Sequence, residues 1–238
     1  NPGSTSVERL DLPYDSIGDL KSDGAHRLYL IGASAKSAPE IVTYDLKDSR
    51  LHVIRRSMSI TLDPEDLAIP EPIEFSTGND LTAHALYYAP TNREFSGPAD
   101  ERPPLLVISH GGPTSATSSS LRIGIQYWTS RGFAVVDVNY GGSTGYGRAY
   151  RDRLRGTWGV VDMEDCINAA RHLERQGLVD ERRMAIRGGS AGGYTTLCAL
   201  VFSDVFSAGA SYYGVADLMG LAQHTHKFES RYLDRLIG

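Results

Sequence analysis

The sequence predicts an α/β fold, with a mostly parallel sheet and helices on both faces, preceded by a separate β-rich segment. Two patterns support this division. Short β-prone runs separated by turn residues fill residues 1–70, whereas strand and helix patterns alternate from residue 104 onward. Strands that alternate with helices indicate parallel βαβ units.

The β-rich segment contains three short strand patterns, at residues 28–31, 41–44 and 51–54. Their spacing is typical of a meander, in which consecutive strands pair with each other. So few strands cannot bury a sheet face by themselves, and we expect the segment to be part of a larger β assembly.

A connector and a hairpin follow this segment. Prolines at positions 64, 70 and 72 mark the connector. Residues 73–75 and 81–88 flank Gly78-Asn79-Asp80, a turn sequence that predicts a β-hairpin.

The remaining elements alternate along the chain. Strands are predicted over 105–108, 133–138, 184–186 and 208–213, and helices over 121–131, 163–176 and 191–202. The run 105–108 is continuously apolar, as buried parallel strands are. Gly132 is well suited to end the first helix, and the second carries an apolar stripe from Met163 to Leu173.

Composition excludes several classes of protein. Hydrophobic residues make up 41% and charged residues 22%, as in ordinary globular proteins, and the net charge of −5 argues against nucleic-acid binding. No run of 18 apolar residues is present, so no membrane span is expected. The two cysteines, Cys166 and Cys198, are too few for a disulfide framework in a chain of this length. They predict core thiols in a reducing, cytoplasmic compartment.

The strongest chemical signal is the segment Gly188–Gly193, which has Ser190 at its centre. It follows a predicted strand and precedes a predicted helix, the context that a G-x-S-x-G nucleophile elbow requires. The serine occupies a strained turn there, and its neighbours at −2 and +2 must be small. The alternative is a glycine-rich turn that only closes a βα unit.

An activated serine also needs donors for the oxyanion of its tetrahedral intermediate. In the α/β-hydrolase arrangement one donor is the N–H of the residue after the serine, here Ala191. The other comes from the loop after an earlier strand, here residues 109–113, where Gly112 is the best candidate because glycine leaves its N–H uncovered. The alternative for this loop is a plain turn.

Four motifs, in this order, resemble the prolyl oligopeptidase family of serine peptidases, and are nearest its acylaminoacyl-peptidase-like branch. They are His110-Gly111-Gly112-Pro113, residues 139–147, residues 158–162 and Gly188–Gly193. Members of the family have a β-propeller followed by an α/β-hydrolase domain. The resemblance therefore implies that residues 1–72 are the end of a propeller with its connector, and residues 73–238 part of the catalytic domain.

The resemblance assigns roles to individual residues. It implies that Ser190 is the nucleophile and that Ala191 and Gly112 donate to the oxyanion. His110 takes the place where some relatives have a tyrosine that helps to hold the oxyanion, and Gly141 replaces a common arginine.

The segment that contains Phe228 and Tyr232 resembles the one in which relatives present two aromatic side chains to the S1 pocket. Both residues are therefore candidates to hold the P1 side chain of a substrate. Packing of an aromatic pair at i, i+4 in a core is the alternative.

The base and carboxylate of a catalytic triad are not evident. In this fold the chain order is serine, acid, histidine, and the family places the last two on loops after later strands. We expect them beyond Gly238, and expect the chain as given to be inactive alone. Asp217 is interpreted as a cap or turn residue, and no catalytic role is assigned to His224 or His226.

The expected function is hydrolysis of short peptides through an acyl-enzyme on Ser190. A carboxylesterase uses the same chemistry and is the alternative enzyme, and a catalytically incomplete fragment is the non-enzymatic one. No cofactor is indicated, and no metal site is expected, because His224 and His226 have only Glu229 as a weak third ligand. The partners expected are peptide substrates, without nucleic acid or membrane, and the oligomeric state is left open.

Overall fold

A computed structural model describes residues 7–60, 62–225, 227 and 231–237 of the chain. These residues form two compact units. The first comprises residues 7–60 together with Ser118–Arg122, and the second comprises residues 62–117 and 123–237.

The first unit is a four-stranded antiparallel meander. Its strands are β1 (Ser16–Ser22), β2 (Arg27–Ser34), β3 (Ser37–Asp45) and β4 (Arg50–Arg56). The three strands expected from the sequence are confirmed as β2 to β4. The sequence patterns missed β1, because almost all of its residues are exposed and it has no alternating apolar residues to reveal it.

The second unit contains a mixed six-stranded sheet in the order β10-β9-β7-β8-β6-β5. Its strands are β5 (Glu71–Thr77), β6 (Leu81–Tyr88), β7 (Leu105–Ser109), β8 (Ala134–Asn139), β9 (Met184–Gly189) and β10 (Ala208–Tyr212). β7 to β10 are parallel to one another, whereas β6 pairs antiparallel with β8 and with β5. The hairpin expected around Gly78-Asn79-Asp80 is therefore confirmed as β5 and β6.

Five α-helices connect or flank these strands among the residues that the structure describes. They are α1 (Ile123–Thr129), α2 (Arg148–Asp152), α3 (Val161–Arg175), α4 (Ala191–Phe202) and α5 (Leu218–His224). α4 has the expected bounds, whereas α1 is two residues shorter than predicted at each end. The short helices α2 and α5 were not predicted, because one or two turns are too short to show an apolar period.

Side chains alternate between the two faces of this sheet. Val107 and Val136 point to one face, where they pack in one cluster with Ala170 of α3. Leu106 points to the other face, in a cluster with Ile125 of α1. Both faces are thus covered by helices, as the continuous apolar strand patterns predicted.

Cys166 and Cys198 are buried free thiols. Within the described residues, no helix has both the length and the apolar character that crossing a bilayer requires. The division into a propeller remnant and a hydrolase domain stays a prediction of the sequence.

Candidate active site

Ser190 lies at the turn between β9 and α4, at the carboxyl end of the parallel strands. Its backbone has φ 55° and ψ −120°, in the left-handed half of conformational space that L-residues rarely adopt. Such a residue costs of order 1–3 kcal/mol and persists only where its surroundings enforce it. Here its N–H donates to the Tyr212 carbonyl at 3.0 Å, and its carbonyl accepts from the Tyr194 N–H at 3.2 Å. The residue is exposed to solvent.

The glycines two residues before and after Ser190 are required by close backbone contacts. A Cβ added to Gly188 would lie 2.2 Å from the Gly192 carbonyl oxygen, and a Cβ added to Gly192 would lie 2.2 Å from that of Ser109. The Ser109 hydroxyl donates to the Gly192 carbonyl at 2.8 Å. The end of β7 and the start of α4 therefore approach each other only because these positions carry no side chain.

Residues His110–Pro113, which we call the HGGP loop, follow β7 and pass beside Ser190. A Cβ added to Gly111 would lie 3.5 Å from the Ser190 Cβ, and Gly112 has a φ of +89°. The loop backbone therefore borders the serine, and Gly112 adopts a conformation that favours glycine.

The His110 ring is held under this loop. Its Nδ1 contacts the Gly111 carbonyl at 2.9 Å, and its Nε2 contacts the Ser143 hydroxyl at 2.7 Å. Because a carbonyl only accepts, Nδ1 carries the proton of the neutral ring, and Nε2 accepts from Ser143. The ring also stacks on Tyr140 with 4.3 Å between centroids, and the Tyr140 hydroxyl donates to the His110 carbonyl at 3.0 Å. The contacts of His110 thus hold the loop in place.

Tyr232 is tied to the same loop. Its hydroxyl donates to the Gly112 carbonyl at 2.8 Å and accepts from the Thr114 hydroxyl at 2.7 Å. This contact between distant parts of the chain has no signal in the sequence. Phe228, the other candidate S1 residue, lies outside the described residues, and the S1 role of the pair stays a prediction.

Among the residues that the structure describes, no general base contacts Ser190. The Ser190 hydroxyl makes no hydrogen bond to any residue that the structure describes. The Asp217 carboxylate accepts from the Gly220 N–H at 3.0 Å and caps α5, as its interpretation as a cap residue predicted. His224 is the last residue of α5, and His226 and Glu229 lie outside the described residues.

Two buried carboxylates of α3 accept hydrogen bonds from loops near the site. Asp162 accepts from the Gly159 N–H at 2.6 Å and from the Thr195 hydroxyl of α4. Asp165 accepts from the Gly141 N–H at 2.7 Å and from the Thr77 hydroxyl. Both side chains are buried, which the sequence analysis did not predict.

Burial changes the acidity of these carboxyl groups. Removal from water disfavours the charged form and raises the pKa of Asp162 to about 6, although its hydrogen bonds to Thr195 and Gly159 act in the opposite direction. Burial also raises the pKa of Asp165 above its ordinary range.

The structure accounts for the glycine at position 141. A Cβ at this position would lie 2.7 Å from Cγ1 of Val161, and its N–H is already bound by Asp165. A longer side chain is therefore accommodated there only if Val161 moves.

Comparisons with known proteins identify the relatives of this chain. The family model of the prolyl oligopeptidase family matches residues 119–238. A puromycin-hydrolyzing peptidase of Mycobacterium tuberculosis is similar in structure, with a TM-score of 0.94 and 45% identity over 96% of this chain and 36% of that one.

Two curated relatives match at the sequence level. Dipeptidyl aminopeptidase BIII of Pseudoxanthomonas mexicana is 28% identical over 88% of this chain and 31% of its own length. An acylamino-acid-releasing enzyme of Arabidopsis thaliana is 35% identical over 47% of this chain and 14% of its own length. The chain thus spans about a third or less of the length of these relatives.

Proposed function

This chain belongs to the prolyl oligopeptidase family, and from that premise we propose that it forms part of a serine peptidase that hydrolyses short peptides through an acyl-enzyme on Ser190. The observation that carries the proposal is the strained, exposed Ser190 between β9 and α4, with the HGGP loop directly beside it. The related fold proposal is that the second unit is an α/β-hydrolase domain and the first unit part of a β-propeller. The high TM-score to a peptidase of the family supports that proposal.

In this mechanism the Ser190 hydroxyl attacks the carbonyl carbon of the scissile peptide bond. A general base takes the hydroxyl proton and then passes it to the departing amine, which leaves an ester between Ser190 and the acyl part of the substrate. Water, activated by the same base, then hydrolyses the ester and frees the serine.

The tetrahedral oxyanion is stabilised by two backbone donors. Ala191 is the first residue of α4, and the first N–H groups of a helix have no partner within it. Gly112 supplies the second N–H from the HGGP loop. Such preorganised donors act on charge that develops only in the transition state, so they accelerate the reaction rather than merely bind substrate.

The proposal requires a histidine base and a carboxylate that orients it. The described residues supply neither to Ser190, and we place both on loops that follow later strands of the protein. The chain studied alone is then expected to react slowly at Ser190. A cytoplasmic location is likewise a proposal, based on the two free thiols.

Fluorophosphonate labelling of the intact protein tests the nucleophile. We expect the wild type and a Ser207→Ala control to be labelled, because Ser207 is an exposed serine of the loop before β10. The Ser190→Ala variant should not react. Labelling that persists in Ser190→Ala refutes the assignment.

Substrate comparison tests the class of peptidase. Matched peptide and ester substrates separate a peptidase from a carboxylesterase, and we expect efficient turnover of the peptide. Peptide anilides with free and with acylated amino termini then distinguish the activities for which the relatives are named. An enzyme that cleaves esters but leaves every peptide intact contradicts the proposal.

A further inference from the structure

We propose that a basic pocket beside the HGGP loop binds a carboxylate of the peptide substrate. This inference rests on the proposed peptidase function and extends it to a class of substrate. The pocket belongs entirely to the second unit of the structure and has a volume of about 580 Å³.

Arginines dominate the lining of this basic pocket. Four of them contribute to it: Arg151, Arg155, Arg231 and Arg235. Two carboxylates also line it, so arginine is in excess. Repulsion among guanidinium groups disfavours such a cluster unless an anion or another compensation is present.

Half of these arginines already have an acidic partner. Arg155 pairs with Asp152 at 3.1 Å, and Arg231 pairs with Asp234 at 3.3 Å. Arg151 and Arg235 form no ion pair with any residue in the described part of the chain. Two guanidinium groups thus remain available, and a guanidinium matches the planar, two-oxygen geometry of a carboxylate.

All four arginines are exposed, but the backbone that carries them is fixed. Two separate segments are joined at the pocket: the Gly156 N–H donates to the Arg235 carbonyl at 3.1 Å, and the Trp158 N–H donates to the Leu236 carbonyl at 3.2 Å. Leu236 and Trp158 are buried in one apolar cluster. The segments that carry the arginines are therefore held together by bonds that do not depend on the arginines.

The pocket shares a wall with the candidate active site. Tyr232 and Thr114 both line it, and the Tyr232 hydroxyl donates to the Gly112 carbonyl. The Tyr232 side chain therefore separates a carboxylate in the pocket from the HGGP loop, and Gly111 of that loop borders Ser190.

A peptide offers this chemistry from two sources: its C-terminal carboxylate, and the side chain of aspartate or glutamate. Matched substrates for the intact peptidase distinguish them. One pair ends in a free carboxylate or in an amide, and a second pair contains glutamate or glutamine at the same position. We expect kcat/KM to be about ten-fold higher for the anionic member of at least one pair, the scale of a charge-assisted hydrogen bond that is partly exposed. The preference should weaken as salt is added.

Variants connect the preference to the pocket. In the double variant Arg151→Gln/Arg235→Gln, the ratio of kcat/KM between anionic and neutral substrates should fall close to one. Arg171→Gln is the matched control, because Arg171 is an exposed arginine of α3 that lies outside the pocket lining. It should leave the ratio as in the wild type.

A binding measurement keeps this test independent of catalysis. Calorimetry with the Ser190→Ala protein should show about ten-fold tighter binding of the anionic peptide, and this difference should be lost when the two arginines are also replaced. Equal affinities for both members of each pair, or a preference that survives the double variant, overturn the pocket proposal. Absence of fluorophosphonate labelling in the wild type would instead overturn the peptidase function, so the two failures are distinguishable.

Discussion

Replacing Asp162 by asparagine should remove a large part of the pH dependence of the stability of the second unit. The carboxyl group is fully buried, and burial raises its pKa from 3.8 to about 6. Asparagine has the same shape and stays neutral. Its oxygen can accept from the Gly159 N–H, and its amide can donate to the Thr195 hydroxyl, which lies 3.2 Å from the Ala191 carbonyl and can donate there instead.

The sign and the size of the effect follow from the shift. Because the folded pKa is above the unfolded one, the folded state keeps a proton that the unfolded state has already lost between pH 3.8 and about 6. Stability is therefore lost as the pH rises through this window. A pKa shift from 3.8 to about 6 corresponds to about 3 kcal/mol of unfolding free energy in total. Between pH 4 and pH 7, the part of the unfolding free energy that Asp162 contributes falls by about 2 kcal/mol.

Urea unfolding at pH 4 and at pH 7 measures the effect. Both tryptophans of the chain, Trp128 and Trp158, lie in the second unit, so tryptophan fluorescence follows its unfolding. Between these pH values the wild type should lose about 2 kcal/mol more free energy of unfolding than Asp162→Asn does.

A control variant on the same helix separates burial from general charge effects. Glu164→Gln removes an exposed carboxylate of α3 and should retain the pH profile of the wild type. Parallel pH profiles for the wild type and Asp162→Asn would refute the reasoning, because they would show that Asp162 titrates equally in the folded and unfolded states.

Three further substitutions test the contacts around the candidate site. Gly192→Ala places a Cβ about 1 Å too close to the Ser109 carbonyl. It should lower the free energy of unfolding, measured in a thermal melt, by about 1–3 kcal/mol, and should slow fluorophosphonate labelling more than ten-fold. The control Gly124→Ala has open space around its Cβ and should change neither quantity. Tyr232→Phe removes the hydroxyl that holds the HGGP loop and should slow acylation about five-fold in a pre-steady-state assay, and an unchanged burst rate would contradict that role. Gln126→Leu removes the side chain that pairs with the buried N–H and carbonyl of Ala68, in the segment before β5. Because both backbone groups would then lack partners, the free energy of unfolding should fall by about 2–4 kcal/mol. A loss below about 1 kcal/mol would contradict this expectation.

The parts of the fold that the sequence predicted are those with a strong local signal. The continuous apolar runs of β7 and β8 require burial on both faces, and the bounds of α4 follow from the turn at Ser190 and the apolar residues after it. By contrast, β1 has polar, exposed residues, and α2 is too short to show a period. Their formation depends on pairing and packing with distant residues, which no local pattern reports.

The candidate site divides in the same way. Ser190 and its glycines were predicted because a strained turn between strand and helix restricts residue types over a few consecutive positions. The bond from Tyr232 to Gly112 joins positions far apart in the chain, and the pKa of Asp162 depends on the elements that exclude water from it. Such effects arise from distances that only the folded chain defines.

By itself, therefore, the sequence determined the alternation of strands and helices, the strained serine turn and the resemblance to a peptidase family, because each depends on residues that are close together in the chain. Tertiary structure alone decided that His110 and Tyr232 hold the HGGP loop, that two acidic residues of a helix start are buried, and that arginines from two segments meet beside that loop. The physical reason is that hydrogen-bond geometry, desolvation and charge clustering depend on separations in space, and folding brings together residues that the chain keeps apart.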